Sequence, residues 1–156
     1  MTDKKLKSHR VKIDKIDKEI YALIQKRASH AVAIGKIKSK VSPKESFYKP
    51  DRETKILRNI LNANKKGLLP DSKIRAIYKE LISGCLSLEE ILKVAYLGPE
   101  ATHSEAAVHN QFGSQALRIP TSTIDDVFYQ VINDDVNLGV VPVENSSEGV
   151  INTTLN

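Results

Sequence analysis

Apolar and polar positions over the first forty residues fall into one stripe. Arg10, Ile13, Asp17, Ile20, Ile24, Arg27, Ala31, Ile34 and Lys38 step by three and four in strict alternation. That spacing is a helix seam and cannot line a strand, whose side chains change face at every residue. It predicts a helix over roughly 5–40, ending near Ser42-Pro43 because proline disfavours helical geometry at the residue before it. A second helix begins at Pro50 or Asp51, where proline suits the first turn and Asp51 and Glu53 face the positive end of the helix dipole; Gly67 and Pro70 close it. A third opens at Asp71 and carries Ile74, Ile77, Tyr78, Leu81, Ile82, Cys85, Leu88, Glu89 and Leu92. After Lys93 the rhythm shortens. Strand-like runs at 93–97, 116–119 and 137–143 alternate with helical segments, a βαβα order. Thr102 with Glu105 has the spacing of a capping box, and Thr123 with Asp126 repeats it more weakly.

Charge divides the chain at the same place. Up to Lys93 there are 23 Lys+Arg against 11 Asp+Glu, a net of +12; beyond it Arg118 stands against eight acidic residues, a net of −7. A shift of this size marks two modules, 1–92 and 93–156. A single cysteine, Cys85, forms no intrachain disulfide and builds no zinc site alone, which fits a reducing cytoplasm. No stretch approaches the ~18 to 20 apolar residues of a spanning helix, and Lys and Asp occupy the place of a signal peptide's apolar centre. The expectation is a cytoplasmic protein without a membrane partner.

Three seam positions are cations where a core helix wants leucine. Arg10, Arg27 and Lys38 can snorkel or pair with Asp17, but three on one seam favour an anionic ligand that supplies the pairing. At about 1.5 Å rise per residue, Arg27 and Lys38 lie ~16 Å apart, within reach of one small dianion. Arg10 lies ~25 Å from Arg27 on the same rod, so it joins them only if a second copy of the helix runs antiparallel alongside. A two-fold dimer with shared sites follows if Arg10 is functional.

The pattern Arg10, Arg27, Gly35-Lys36-Ile37-Lys38 and Tyr48-Lys49-Pro50-Asp51-Arg52-Glu53 resembles the all-helical class of chorismate mutase, over roughly 5–92. The strings from Val94 to Ala107 and from Gly139 to Gly149 are similar to the opening of prephenate dehydratase, and their order matches bifunctional enzymes with both activities. No G-x-G-x-x-G dinucleotide loop follows the first strand. The fold this implies is a multidomain α+β chain. It consists of an N-terminal all-α three-helix mutase domain in an intertwined dimer, followed by an incomplete α/β dehydratase lobe.

The resemblance implies that the first module converts chorismate to prephenate with no covalent intermediate, metal or cofactor. Catalysis then consists of holding a folded substrate and placing donors where charge develops on the ether oxygen of the breaking bond. By position, the partner's Arg10 and Arg27 resemble carboxylate clamps, and Lys38 resembles the ether-oxygen donor. Arg52 and Glu53 match the second helix's contribution, with Glu53 facing the substrate hydroxyl; as first-turn charges they also serve to cap a helix. Cys85 and Glu89 stand on helix three where many members have Ser and Gln. Cys85 also reads as a small buried hydrophobe, whereas a carboxylate at 89 donates only when protonated.

For the second module the resemblance implies dehydration and decarboxylation of prephenate in a cleft between two lobes. Thr102, Ser104, Glu144, Asn145 and Ser146 fall at the carboxyl ends of strands, where such ligands sit; turn and cap chemistry is the plainer reading of Thr102 and Ser104. Ala101 and His103 replace the Gly and Phe usual there. The family's catalytic Thr-Arg-Phe motif and phenylalanine-sensing domain lie beyond these residues, so the lobe is expected to be incomplete. Two competing readings are a nucleic-acid-binding basic module and a catalytically inactive regulatory fragment. Against the first, the module has only Tyr21, Phe47, Tyr48 and Tyr78 as aromatics, and its seam cations suit a small buried anion better than a rod of phosphates.

Overall fold

The computed structural model describes residues 2–41, 47–145, 149–151 and 154. It is helix-rich with a small parallel sheet. Helix α1 (Thr2–Val41) runs unbroken, as its seam requires, and at about 1.5 Å per residue it is a rod of ~60 Å. Helix α2 (Pro50–Ala63) starts on Pro50 and ends in a 3₁₀ turn at Asn64–Lys66. Helix α3 (Asp71–Leu86) packs against both α1 and α2.

Helix three is shorter than its apolar pattern predicts, stopping at Leu86 so that Leu88, Glu89 and Leu92 lie beyond it. The Ser87 hydroxyl donates to the Gly84 carbonyl at 2.8 Å, satisfying locally a group that a longer helix would pair with a backbone N–H. The chain nonetheless stays in a helix-like turn, with the Glu89 N–H on the Leu86 carbonyl at 2.8 Å. Leu92 turns away into a different core.

That core belongs to β1 (Lys93–Leu97), the centre of a parallel sheet ordered β2-β1-β3, with β2 at Leu117–Thr121 and β3 at Leu138–Val140. Helix α4 (His103–Phe112) links β1 to β2 and α5 (Ile124–Ile132) links β2 to β3. Successive β1 side chains face opposite ways: Val94 and Tyr96 pack with Val108 of α4, and Ala95 with Val127 of α5. A central strand covered on both faces is what its uninterrupted apolar run requires. Each Val buried there contributes about 1.5–3 kcal/mol. A short antiparallel pair, β4 (Glu144–Asn145) and β5 (Gly149–Val150), follows. The third predicted run, 137–143, thus narrows to β3, and β4 lies just beyond it.

The two capping signals reverse in strength. Thr123 and Asp126 form the complete reciprocal box at α5. At α4 the Thr102 hydroxyl accepts from the Glu105 N–H, but the Glu105 carboxylate accepts from Ala101 N–H at 2.6 Å and pairs with Arg118 at 3.2 Å. Ala101 takes a left-handed φ of 62°, the geometry that glycine adopts without strain.

The largest fully buried side chains, Tyr96, Val94, Val108 and Val127, all lie after Lys93. Along α1 the opposite holds: Leu6, Ile13, Ile16, Ile20 and Leu23 are exposed. No helix among the described residues is long and apolar enough to cross a membrane.

Candidate active site

Where the C-terminal half of α1 packs on α3, residues of α1, α2, α3 and the approach to α2 border a half-open cavity of about 440 Å³. Arg27 and Lys38 reach it from the seam of α1, Arg52 and Glu53 from the first turn of α2, Cys85 from the last turn of α3 and Glu89 from the turn after it. Six side chains predicted from the sequence therefore border one space.

Two of the cations, Lys38 and Arg27, are held rather than loose. Lys38 Nζ donates to Glu89 Oε2 at 3.3 Å and to the Phe47 carbonyl at 3.0 Å, and lies 5.3 Å from the centre of the Phe47 ring. In this pair the lysine side chain is 31% exposed and the glutamate 11%, so water reaches the lysine more than the carboxylate. Arg27 Nη1 donates to the Leu81 carbonyl of α3 at 3.3 Å, which anchors one arm of its fork and leaves other N–H groups for a ligand. Gly35 faces Glu89 across the helix contact: a Cβ there would stand 3.2 Å from the Glu89 Cα. The missing side chain allows the turn carrying Glu89 to approach α1 closely. Cys85 is 5% exposed at the cavity wall.

Glu53 is half-buried, and burial pushes its carboxyl above the usual glutamate range; the Lys79 charge and a hydrogen bond from the Tyr48 hydroxyl draw it partly back. Burial also raises the Tyr48 hydroxyl, opposed by a hydrogen bond from Gln111, while the neighbouring Glu53 charge and hydrogen bond raise it further. Both effects favour the neutral form of the group.

Arg10 does not join the cluster. It stays exposed on α1, 17 positions before Arg27 and so ~25 Å away along the axis. Thr102 caps α4, Ser104 lies in its first turn, and Glu144 and Asn145 form β4. Ser146 lies outside the described residues. A cavity of about 640 Å³ at the ends of β1 and β2 is bordered by Gly98, Pro99, Glu100, Pro120, Thr121 and Ser122, and by none of those candidates. The sequence reading assigned no role to Phe47, Tyr48 or His30, which all border the cationic cavity. An aromatic pair just ahead of a helix that opens with Pro-Asp-Arg-Glu was the available signal.

Comparison with known proteins matches the type II chorismate mutase family over residues 9–90 and the prephenate dehydratase family over residues 94–156. The chain is 48% identical over 153 residues to the bifunctional chorismate mutase/prephenate dehydratase of Aquifex aeolicus, covering 96% of this chain and 42% of that protein. Proteins of the same name from Stutzerimonas stutzeri and Pseudomonas aeruginosa are 44% and 42% identical over 153 residues, with the same coverage. The chain thus spans about two-fifths of the length of these relatives.

Proposed function

The chain belongs to the type II chorismate mutase family, and from that premise we propose that its cationic cavity converts chorismate to prephenate. The observation carrying the reading is the convergence of Arg27, Lys38 and Arg52 on one cavity, with Glu89 at 3.3 Å from Lys38. A dicarboxylate entering it exchanges water for charge-assisted hydrogen bonds from the arginines, which hold its two reacting ends together. The ether C–O bond breaks as a C–C bond forms within the same molecule, and no group leaves. Lys38 donates to the oxygen on which charge develops, and Glu89 donates from the other side when protonated. Glu53 receives the substrate hydroxyl, and Cys85 fills the wall beneath the ring. No cofactor or metal takes part.

The site is completed by Arg10 of a second copy. A partner α1 running antiparallel covers the exposed Leu6, Ile13, Ile16, Ile20 and Leu23 and brings its Arg10 to this cavity. Residues 1–92 are then a three-helix mutase domain in an intertwined cytoplasmic homodimer that contacts neither nucleic acid nor membrane. Residues 93–156 belong to a prephenate dehydratase module, which takes prephenate to phenylpyruvate on the way to phenylalanine, with Thr102, Ser104, Glu144, Asn145 and Ser146 as candidate substrate contacts. The test of the mutase reading is the fall in chorismate absorbance on adding purified protein, with prephenate identified by NMR. Lys38→Ala should lower the rate at least about 10²-fold, as loss of a positioned donor does. Equal turnover by this variant would exclude the cavity as the site.

A further inference from the structure

Tyr48 belongs by sequence to the mutase module, yet its ring packs on the other module's core. It joins the cluster of Leu92, Val94, Tyr96, Val108 and Ala116, and meets the Phe112 ring edge-on with centroids 5.4 Å apart at 72°. Its hydroxyl is under the influence of Glu53 and Gln111, which line the same cavity as Tyr48. Tyr48 and Glu53 border the cationic cavity, and with Gln111 they also border a second one of about 420 Å³. The pair is a partition between the two spaces, supported from behind by α4.

The end of α4 is itself tied down. Lys79 Nζ donates to the Asn110 carbonyl at 2.6 Å and the Gln111 carbonyl at 3.4 Å. The Glu80 carboxylate accepts from the Ser114 hydroxyl at 2.6 Å and its N–H at 3.1 Å. Between them Gly113 takes a φ of 79°, and a Cβ there would meet the Ser83 side chain at 2.6 Å, so the two helices touch at a point that admits no side chain. A fixed α4 end therefore fixes Phe112 and Gln111, and through them Tyr48.

We propose that Gln111 and Phe112 of the second module are positioning residues for the mutase site, setting through Tyr48 where the Glu53 carboxyl stands. The inference rests on the reading that Glu53 receives the substrate hydroxyl. A contact of that kind is present in ground and transition states alike, so its misplacement weakens substrate binding more than it slows the chemical step.

The test is steady-state chorismate turnover by the full chain carrying Gln111→Leu, Tyr48→Phe or both. Gln111→Leu should raise KM roughly 3- to 10-fold, about the worth of one polar contact, with kcat little changed. Tyr48→Phe should do the same, and adding Gln111→Leu to it should change nothing more. A merely structural role has the opposite signature, a lower apparent kcat at unchanged KM, because fewer molecules are folded. That result, an unchanged KM, or additive effects in the double variant would each overturn the proposal. If Gln111→Leu does not fold, Tyr48→Phe and Phe112→Leu still decide by the same split. Absence of turnover by the unaltered protein would overturn the mutase reading and this inference with it, whereas normal turnover with an unmoved KM overturns this inference alone.

Discussion

Replacing Glu89 by glutamine separates the two things its carboxyl does. In the ligand-free protein it accepts from Lys38 at 3.3 Å, with the lysine 31% and the glutamate 11% exposed. Partly exposed pairs of this kind contribute about 0.2–1 kcal/mol, and the lysine keeps its 3.0 Å bond to the Phe47 carbonyl. Glu89→Gln should therefore lower the thermal midpoint by no more than about 2–4 °C. Activity should move in the other direction. An ionised carboxylate beside the ether oxygen repels the charge forming there and offers no proton, whereas glutamine donates at any pH. A positioned donor is worth about 10²–10³ in kcat, so the variant should exceed the wild type by up to about 10². The assay is kcat/KM for chorismate, measured for both proteins under the same conditions. The variant should be the faster enzyme, because glutamine supplies a donor that the carboxylate paired with Lys38 lacks. Equal or lower activity of the variant would refute the placement of Glu89 at the ether oxygen.

Gly35→Ala places a Cβ 3.2 Å from the Glu89 Cα and displaces the turn by a few tenths of an ångström; kcat/KM should drop about tenfold, and an unchanged value would show that close packing of this turn is dispensable. Ala101→Gly relieves a φ of 62° and should raise stability by about 0.5–1 kcal/mol, read as a midpoint increase of about 1–3 °C; a decrease would contradict it. Glu53 has a carboxyl pKa raised by burial, so its contribution to stability is full below the ordinary glutamate value and is lost as pH rises through the raised one. Melting curves from about pH 4 to 8 should show Glu53→Gln gaining on the wild type with rising pH, and a constant difference would contradict the shift.

The α1 seam was legible because helical period depends on the chain alone, and it identified Arg27 and Lys38 before any packing was known. The α2 entry was legible through Pro50 and its acids, and β1 through an apolar run too short for a helix. Position 89 was half-legible. Helical steps placed it on the face of Cys85, and the Ser87 hydroxyl ends α3 at Leu86, yet the following turn still carries the side chain to Lys38. Leu92 completed the same apolar pattern but is taken by the core around Tyr96, which no period in helix three can reveal. Tyr48 was half-legible: the aromatic pair ahead of α2 marked the position, but not its neighbours Gln111 and Phe112, which lie more than sixty positions away in the other module. At α4 the reciprocal cap failed because Arg118, on β2, draws the Glu105 carboxylate elsewhere.

The central claim is that seam cations from two copies of α1 build one site, and mixing two inactive variants tests it most directly. Arg10→Ala and Arg27→Ala should each lack mutase activity. Unfolded together in equal amounts and refolded, they form half their dimers as hybrids, and each hybrid holds one site with both arginines and one with neither. The mixture should therefore regain about a quarter of wild-type turnover, as two-fold sharing requires. No recovery, with hybrid dimers demonstrated by mass spectrometry, would contradict a site shared between chains.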